Sequence, residues 1–207
     1  MKALIRGITV LLSTLSIALP ASAAVKVGAA APDFRLVDAS GKTVSLSDFR
    51  GQHVVLEWTN HLCPFVQKHY RSGNMQAHQA EAADKGVIWL SIISSAPGKQ
   101  GHVDGDEALK IADQHEASPS HILLDGNGKV GRQYGAKTTP HMYVIDPQGT
   151  LIYMGGIDSV PSADQADIAG ATPYVRVALQ QALAGDEISQ PSTRAPGIDI
   201  RMNTTSA

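Results

Sequence analysis

Apolar and polar positions alternate along residues 34–37 (FRLV), and the turn-forming ASGK at 39–42 leads to a second β-like run at 43–46, so the pattern predicts an N-terminal β-hairpin. Residues 47–49 (SDF) read as a capped helical turn stopped by Gly51. Residues 53–58 (HVVLEW) are short and rich in β-formers, which predicts a first central strand. A helix is expected to open at Cys63 and Pro64, to run past Val66, Gln67 and Tyr70, to break near Ser72 and Gly73, and to resume over 74–83. The continuous apolar run 86–93 (GVIWLSII) suits a parallel strand covered on both faces. Residues 94–105 lack periodicity and form a loop, expected to be mobile and near the site. An amphipathic helix follows at 106–115, a strand at 122–124, a turn at 125–128 (DGNG), a hairpin from 142–145 and 151–154, and a closing helix at 173–183. The order β, α, β, α, β, β, α implies an α/β fold whose sheet is parallel in its first half and antiparallel at one edge.

The first residues bear on where this domain works. Lys2 and Arg6 precede an apolar stretch from Gly7 to Leu19, and Ala21, Ser22 and Ala23 supply small residues for a signal peptidase. Residues 1–23 are therefore read as a cleaved signal peptide, 24–185 as one domain, and 186–207, polar with Pro191 and Pro196, as an extended tail. A periplasmic or secreted protein is expected, with no membrane span once the signal is removed, since no later run approaches the roughly 20 apolar residues a spanning helix needs. A formal net charge of −2 with scattered basic residues argues against nucleic acid as a partner.

An exported chain meets an oxidising compartment, yet this one has a single cysteine, Cys63, and so no internal disulfide. At a strand-to-helix junction the unpaired amides and aligned peptide dipoles favour negative charge, which suits a nucleophilic sulfur. Such a sulfur attacks a disulfide or a peroxide oxygen, and the product must be resolved by another thiol. In a helix beginning at Cys63, Gln67 and Tyr70 share its face, whereas Lys68 and His69 point away. His61 reads either as an imidazolium assisting the thiol or as a solvated loop residue. Glu57 reads either as a buried proton shuttle or as a solvated acid, the second preferred, and Arg132 and Lys137 are expected at the surface.

The segments 57–70 (EWTNHLCPFVQKHY), 135–146 (GAKTTPHMYVID) and 151–158 (LIYMGGID) resemble the thioredoxin-like superfamily, and within it the redoxin group, also called alkyl hydroperoxide reductase and thiol-specific antioxidant. The resemblance implies a thioredoxin-like fold, a central mixed sheet flanked by helices with an N-terminal β-hairpin extension. It implies an oxidoreductase with antioxidant activity, reducing a peroxide or a disulfide, with a part in cell redox homeostasis and no bound cofactor or metal. Cys63 is then the catalytic residue, with Trp58, Thr59, Asn60, His61, Pro64 and Tyr70 lining the site, and Thr139 and Pro140 facing the thiol as the threonine and cis-proline do in thioredoxins. Three departures matter. The second thiol of Cys-x-x-Cys is missing, and Asn60 and Leu56 stand where peroxiredoxins carry threonine and proline. Relatives that share the CPFVxKHY run often carry a further cysteine near the C-terminus, and the matching stretch 193–202 has none. An external thiol reductant, a thioredoxin-like protein or a small thiol, is therefore the implied partner.

Two other classes fit the same residues. Cys63, His61, His69 and His141 would suit copper or zinc if they converged. A chain without the second thiol would also serve as a non-catalytic binding protein, using the groove beside Pro140.

Overall fold

The computed structural model describes residues 25–202, so the proposed signal peptide and the last residues of the tail lie outside the described part. The expected hairpin is present as β1 (Arg35–Asp38) and β2 (Thr43–Ser45), followed by a 3₁₀ turn at Leu46–Phe49. The turn's start is closed by the Ser45 amide donating to the Asp48 carboxylate at 2.8 Å. The central elements follow as β3 (Val54–Trp58), α1 (Pro64–Arg71), α2 (Asn74–Asp84), β4 (Ile88–Ile93), α3 (Gly105–Gln114) and β5 (His121–Leu124). The break between α1 and α2 falls at Gly73, whose φ of +74° places it in the left-handed region that glycine tolerates. Then come α4 (Lys129–Tyr134), β6 (Thr138–Thr139), β7 (His141–Ile145), β8 (Leu151–Gly155), α5 (Tyr174–Ala184) and β9 (Ile198–Asp199).

Among the described residues the main sheet has seven strands in the order β2-β1-β5-β4-β3-β7-β8. The pairs β3–β4 and β4–β5 are parallel, and β3–β7 and β7–β8 antiparallel, the mixed sheet the element order implied. The hairpin is not a separate appendage, because β1 pairs antiparallel with β5 and extends the sheet. Every residue of β3 is buried, so its alternate side chains feed two cores. Leu56 and Trp58 join Leu90, Ile92, Leu123 and Tyr143 on the face covered by α4 and the hairpin. Val55 joins Trp89, Met142 and Tyr153 on the other, under Met75 of α2 and Val175 and Leu179 of α5.

Two elements differ from the sequence reading. The turn at 125–128 continues into α4, whose start is held from outside the helix: the Asp125 carboxylate accepts from the amides of Val130 at 3.2 Å and Gly131 at 2.9 Å. Within the expected tail, the described residues are tied down, since β9 pairs antiparallel with β6.

Candidate active site

β3 delivers the chain into a tight turn. The Asn60 side-chain carbonyl accepts from the Leu62 amide at 2.9 Å, and the Asn60 main-chain carbonyl accepts from the Cys63 amide at 2.9 Å. Cys63 thereby becomes the residue before α1, with Pro64 at the first helical position, where no amide is missed. Its carbonyl accepts from the Gln67 amide at 2.9 Å, and the Gln67 side-chain amide donates back to His61 O at 3.0 Å, bracing the turn. The Cys63 thiol is fully buried and donates to the main-chain carbonyl of Thr139 at 2.9 Å. The Thr139–Pro140 peptide is cis, as the resemblance implied. Cys63, Thr139 and Pro140, distant in sequence, are thus one cluster.

Of the other expected site residues, Pro64 adjoins Cys63 at the start of α1 and the rest face elsewhere. Thr59, Asn60, His61, Gln67 and Tyr70 line an apolar cleft closed by α3 and by Val103 of the 94–105 loop, and Cys63 is not in its wall. That loop reaches the site as expected: a Cβ on Gly101 would stand 2.3 Å from the Asn60 side chain. Trp58 is in neither place. It packs into the opposite core against Tyr134 and Tyr143, with its indole N–H donating to Ser94 Oγ at 3.0 Å and Ser94 donating on to Asp125 at 2.6 Å. Arg132 and Lys137 are exposed, as expected.

Glu57 corrects the preferred reading of a solvated acid. It is 0 % exposed and collects the indole N–H of Trp89 at 2.8 Å, the Ser91 hydroxyl at 3.0 Å and the Tyr70 hydroxyl at 2.8 Å. Burial raises its carboxyl above the usual range, against the lowering effect of the bonds from Trp89, Tyr70 and Ser91. Burial together with the Glu57 charge likewise raises the Tyr70 hydroxyl well above its ordinary value. His61 is pushed down by burial, so it is a neutral ring near pH 7 and no imidazolium beside the thiol.

Lys68 and His69 turn away from Cys63, as the helix periodicity predicted, but not toward water. The Lys68 ammonium is buried and bonds Asp158 Oδ2 at 2.7 Å and Val160 O at 3.2 Å. His69 stands 3.7 Å from the same carboxylate, and its Nδ1 meets the Asn74 side-chain amide at 2.7 Å. His141 lies against Tyr143, 3.2 Å from its hydroxyl. The candidate metal donors therefore do not converge, and among the described residues no group of three His, Cys, Asp or Glu side chains is placed to hold an ion.

The buried histidines carry a pH dependence. Burial holds His78 and His141 at about 4, and lowers His69 below its ordinary value as well. The unfolded chain takes up protons below about pH 6.5 while these rings stay neutral in the fold, so their contribution is fully present above that pH and is lost as pH falls toward 4. Each gives a slope approaching 1.4 kcal/mol per pH unit in that window. Urea titrations at stepped pH are expected to show this loss, and His78→Asn to flatten it. Constant stability between pH 6.5 and 4 would contradict the assignment.

A strand, a turn and a helix that set a lone cysteine against the carbonyl preceding a cis-proline define a thioredoxin-like protein. Residues 27–154, more than half of the chain, match the model of the AhpC/TSA family, and the chain belongs to that family. It is 26% identical over 146 residues to the thioredoxin-like protein YneN of Bacillus subtilis, covering 70% of this chain and 81% of that one. It is 24% identical over 127 residues to the thiol-disulfide oxidoreductase ResA of Bacillus thuringiensis, covering 61% of this chain and 68% of that one. Among solved structures, an uncharacterized conserved protein from Geobacillus kaustophilus superposes with a TM-score of 0.76 at 24% identity, over 88% of this chain and 94% of that one.

Several residues of the site were not legible beforehand. Trp89 and Ser91 read as core positions, and Asp158, although inside the quoted LIYMGGID segment, had no assigned partner. The signal for Asp158 was the adjacent cation and imidazole on α1, which require an acid if they are buried.

Proposed function

We propose that the protein is an exported thiol oxidoreductase in which Cys63 is the nucleophile and an outside thiol completes each cycle. The observation that carries this reading is the Cys63 sulfur at the head of α1, hydrogen-bonded at 2.9 Å to the Thr139 carbonyl. That bond must be given up, with loss of the proton, before the sulfur acts. The thiolate then attacks one sulfur of a disulfide R–S–S–R′, forming Cys63–S–S–R and expelling R′–S⁻. With a hydroperoxide, attack on the terminal oxygen breaks the O–O bond and leaves the Cys63 sulfenic acid and an alcohol or water. A first outside thiol converts the sulfenic acid to a mixed disulfide and water. A further outside thiol attacks the mixed disulfide, restoring Cys63 and releasing a new disulfide.

Asn60 fixes the turn, and Glu57 places a protonatable carboxyl in the strand beneath it. The name of ResA as a thiol-disulfide oxidoreductase supports the chemistry, and the basic, apolar and small-residue order of residues 1–23 supports export. Among the described residues no helix is long and apolar enough to cross a membrane. The test is steady-state turnover of a disulfide or hydrogen peroxide with added thiol. Turnover is expected to depend on that thiol and to fall to the uncatalysed background in Cys63→Ser. Equal turnover in Cys63→Ser, or none in the unmodified protein, would overturn the proposal.

A further inference from the structure

The segment after α5 makes contacts that the proposed chemistry does not use. It returns across β8, β6 and the start of the 94–105 loop as a band of hydrogen bonds. The Thr193 amide donates to Met154 O at 3.1 Å, Thr138 Oγ1 donates to Ala195 O at 3.1 Å, the Ile200 amide donates to Lys137 O at 2.8 Å, and the Ala96 amide donates to Arg201 O at 2.9 Å. Between these anchors Ile198 pairs with Thr139 and Asp199 with Thr138. The Thr139 carbonyl that takes the Cys63 thiol is the atom against which Gly197 packs.

Glycines on both sides permit this approach. A Cβ on Gly197 would stand 2.1 Å from Thr139 O, one on Gly155 2.1 Å from Thr193 Oγ1, and one on Gly156 2.7 Å from Arg194 O. The anchoring is shallow, however. From Gly185 to Met202 no residue is buried, while Cys63, Thr139 and Pro140 beneath are all buried. Ile200 packs half-buried against the core and Met202 lies against Gly128 and Gly131, so the segment is held by edge hydrogen bonds and a few half-buried apolar contacts, and it opens locally at lower cost than the core.

From this we infer that residues 191–202 are a detachable strap that occupies the Thr138–Thr139 edge and shuts Cys63 away from bulky reactants. The inference rests on Cys63 being the reactive group. Lifting the strap frees the edge and uncovers the sulfur, so the strap sets how fast Cys63 meets a disulfide carried on another chain.

The test uses stoichiometric reaction of Cys63 with the aromatic disulfide 5,5′-dithiobis(2-nitrobenzoate): the thiolate attacks one sulfur and expels thionitrobenzoate, which is read by its colour. The full chain is compared with Gly197→Val, whose side chain cannot fit against the Thr139 backbone, and with a deletion of 191–207. Both variants are expected to react faster by at least about tenfold while keeping the melting transition of the core. Amide exchange on the unmodified protein supplies a readout that needs no variant: amides of 193–201 are expected to exchange through local opening, far ahead of β3. The inference is overturned if reactivity is unchanged when the strap is displaced, or if the strap amides exchange only with global unfolding. A fast thiol in the variants that still gives no turnover would uphold the strap and sink the oxidoreductase proposal, so the two fail separately.

Discussion

Asp158→Ala is expected to destabilise the fold by about 3–5 kcal/mol, because it leaves the Lys68 ammonium buried without its counter-charge. Lys68 is 2 % exposed and would retain only the Val160 carbonyl at 3.2 Å. The pair also ties α1, which follows directly on Cys63, to the segment after β8, so its loss reaches the site as well as the core. Urea unfolding measures the cost. Replacing both partners by apolar residues, Lys68→Met with Asp158→Leu, is expected to recover most of it, because the penalty comes from the unpaired charge and less from the loss of the bridge itself. A single variant as stable as the parent would show that water reaches Lys68.

Trp58→Ala is expected to cost a similar amount, about 3–5 kcal/mol, by opening a cavity between Tyr134 and Tyr143. The ring is fully buried, with centroids 5.3 Å from Tyr134 and 5.1 Å from Tyr143. Trp58→Phe keeps much of the packing and removes the indole bond to Ser94, so it is expected to cost only about 1 kcal/mol beyond the change in ring size. Trp58 pairs in register with His141, the residue after Pro140, and the alanine variant should therefore also lower turnover. Thermal unfolding of the two variants, with turnover on the same samples, separates packing from the hydrogen bond.

The central scaffold was legible because local signals agreed with tertiary ones. HVVLEW, the Cys63 and Pro64 helix start and the glycine at 73 each announce an element that packing then uses. α4 was not legible, since six residues flanked by Gly128 and Gly135 carry no helical period and depend on Asp125, itself held through Ser94 and Trp58. The strand at 198–199 was invisible for a related reason: its partner is the short edge at 138–139, and no hydrophobic alternation specifies it. Glu57 was misread because an acid in a strand defaults to water. Its donors come from 13, 32 and 34 residues away, and no local pattern brings them together. Within the site, Cys63, Thr139 and Pro140 assemble as the resemblance implied, whereas Trp58 belongs to the opposite core and Tyr70 to the Glu57 network.

The mass of the intact protein after exposure to oxidised glutathione or hydrogen peroxide reports whether Cys63 is the reacting group. A single glutathione adduct, or a single sulfenic acid, is expected on Cys63, absent from Cys63→Ser, and removed only when an outside thiol is added. A protein left unreacted by both oxidants, or an adduct that clears without added thiol, would contradict this assignment.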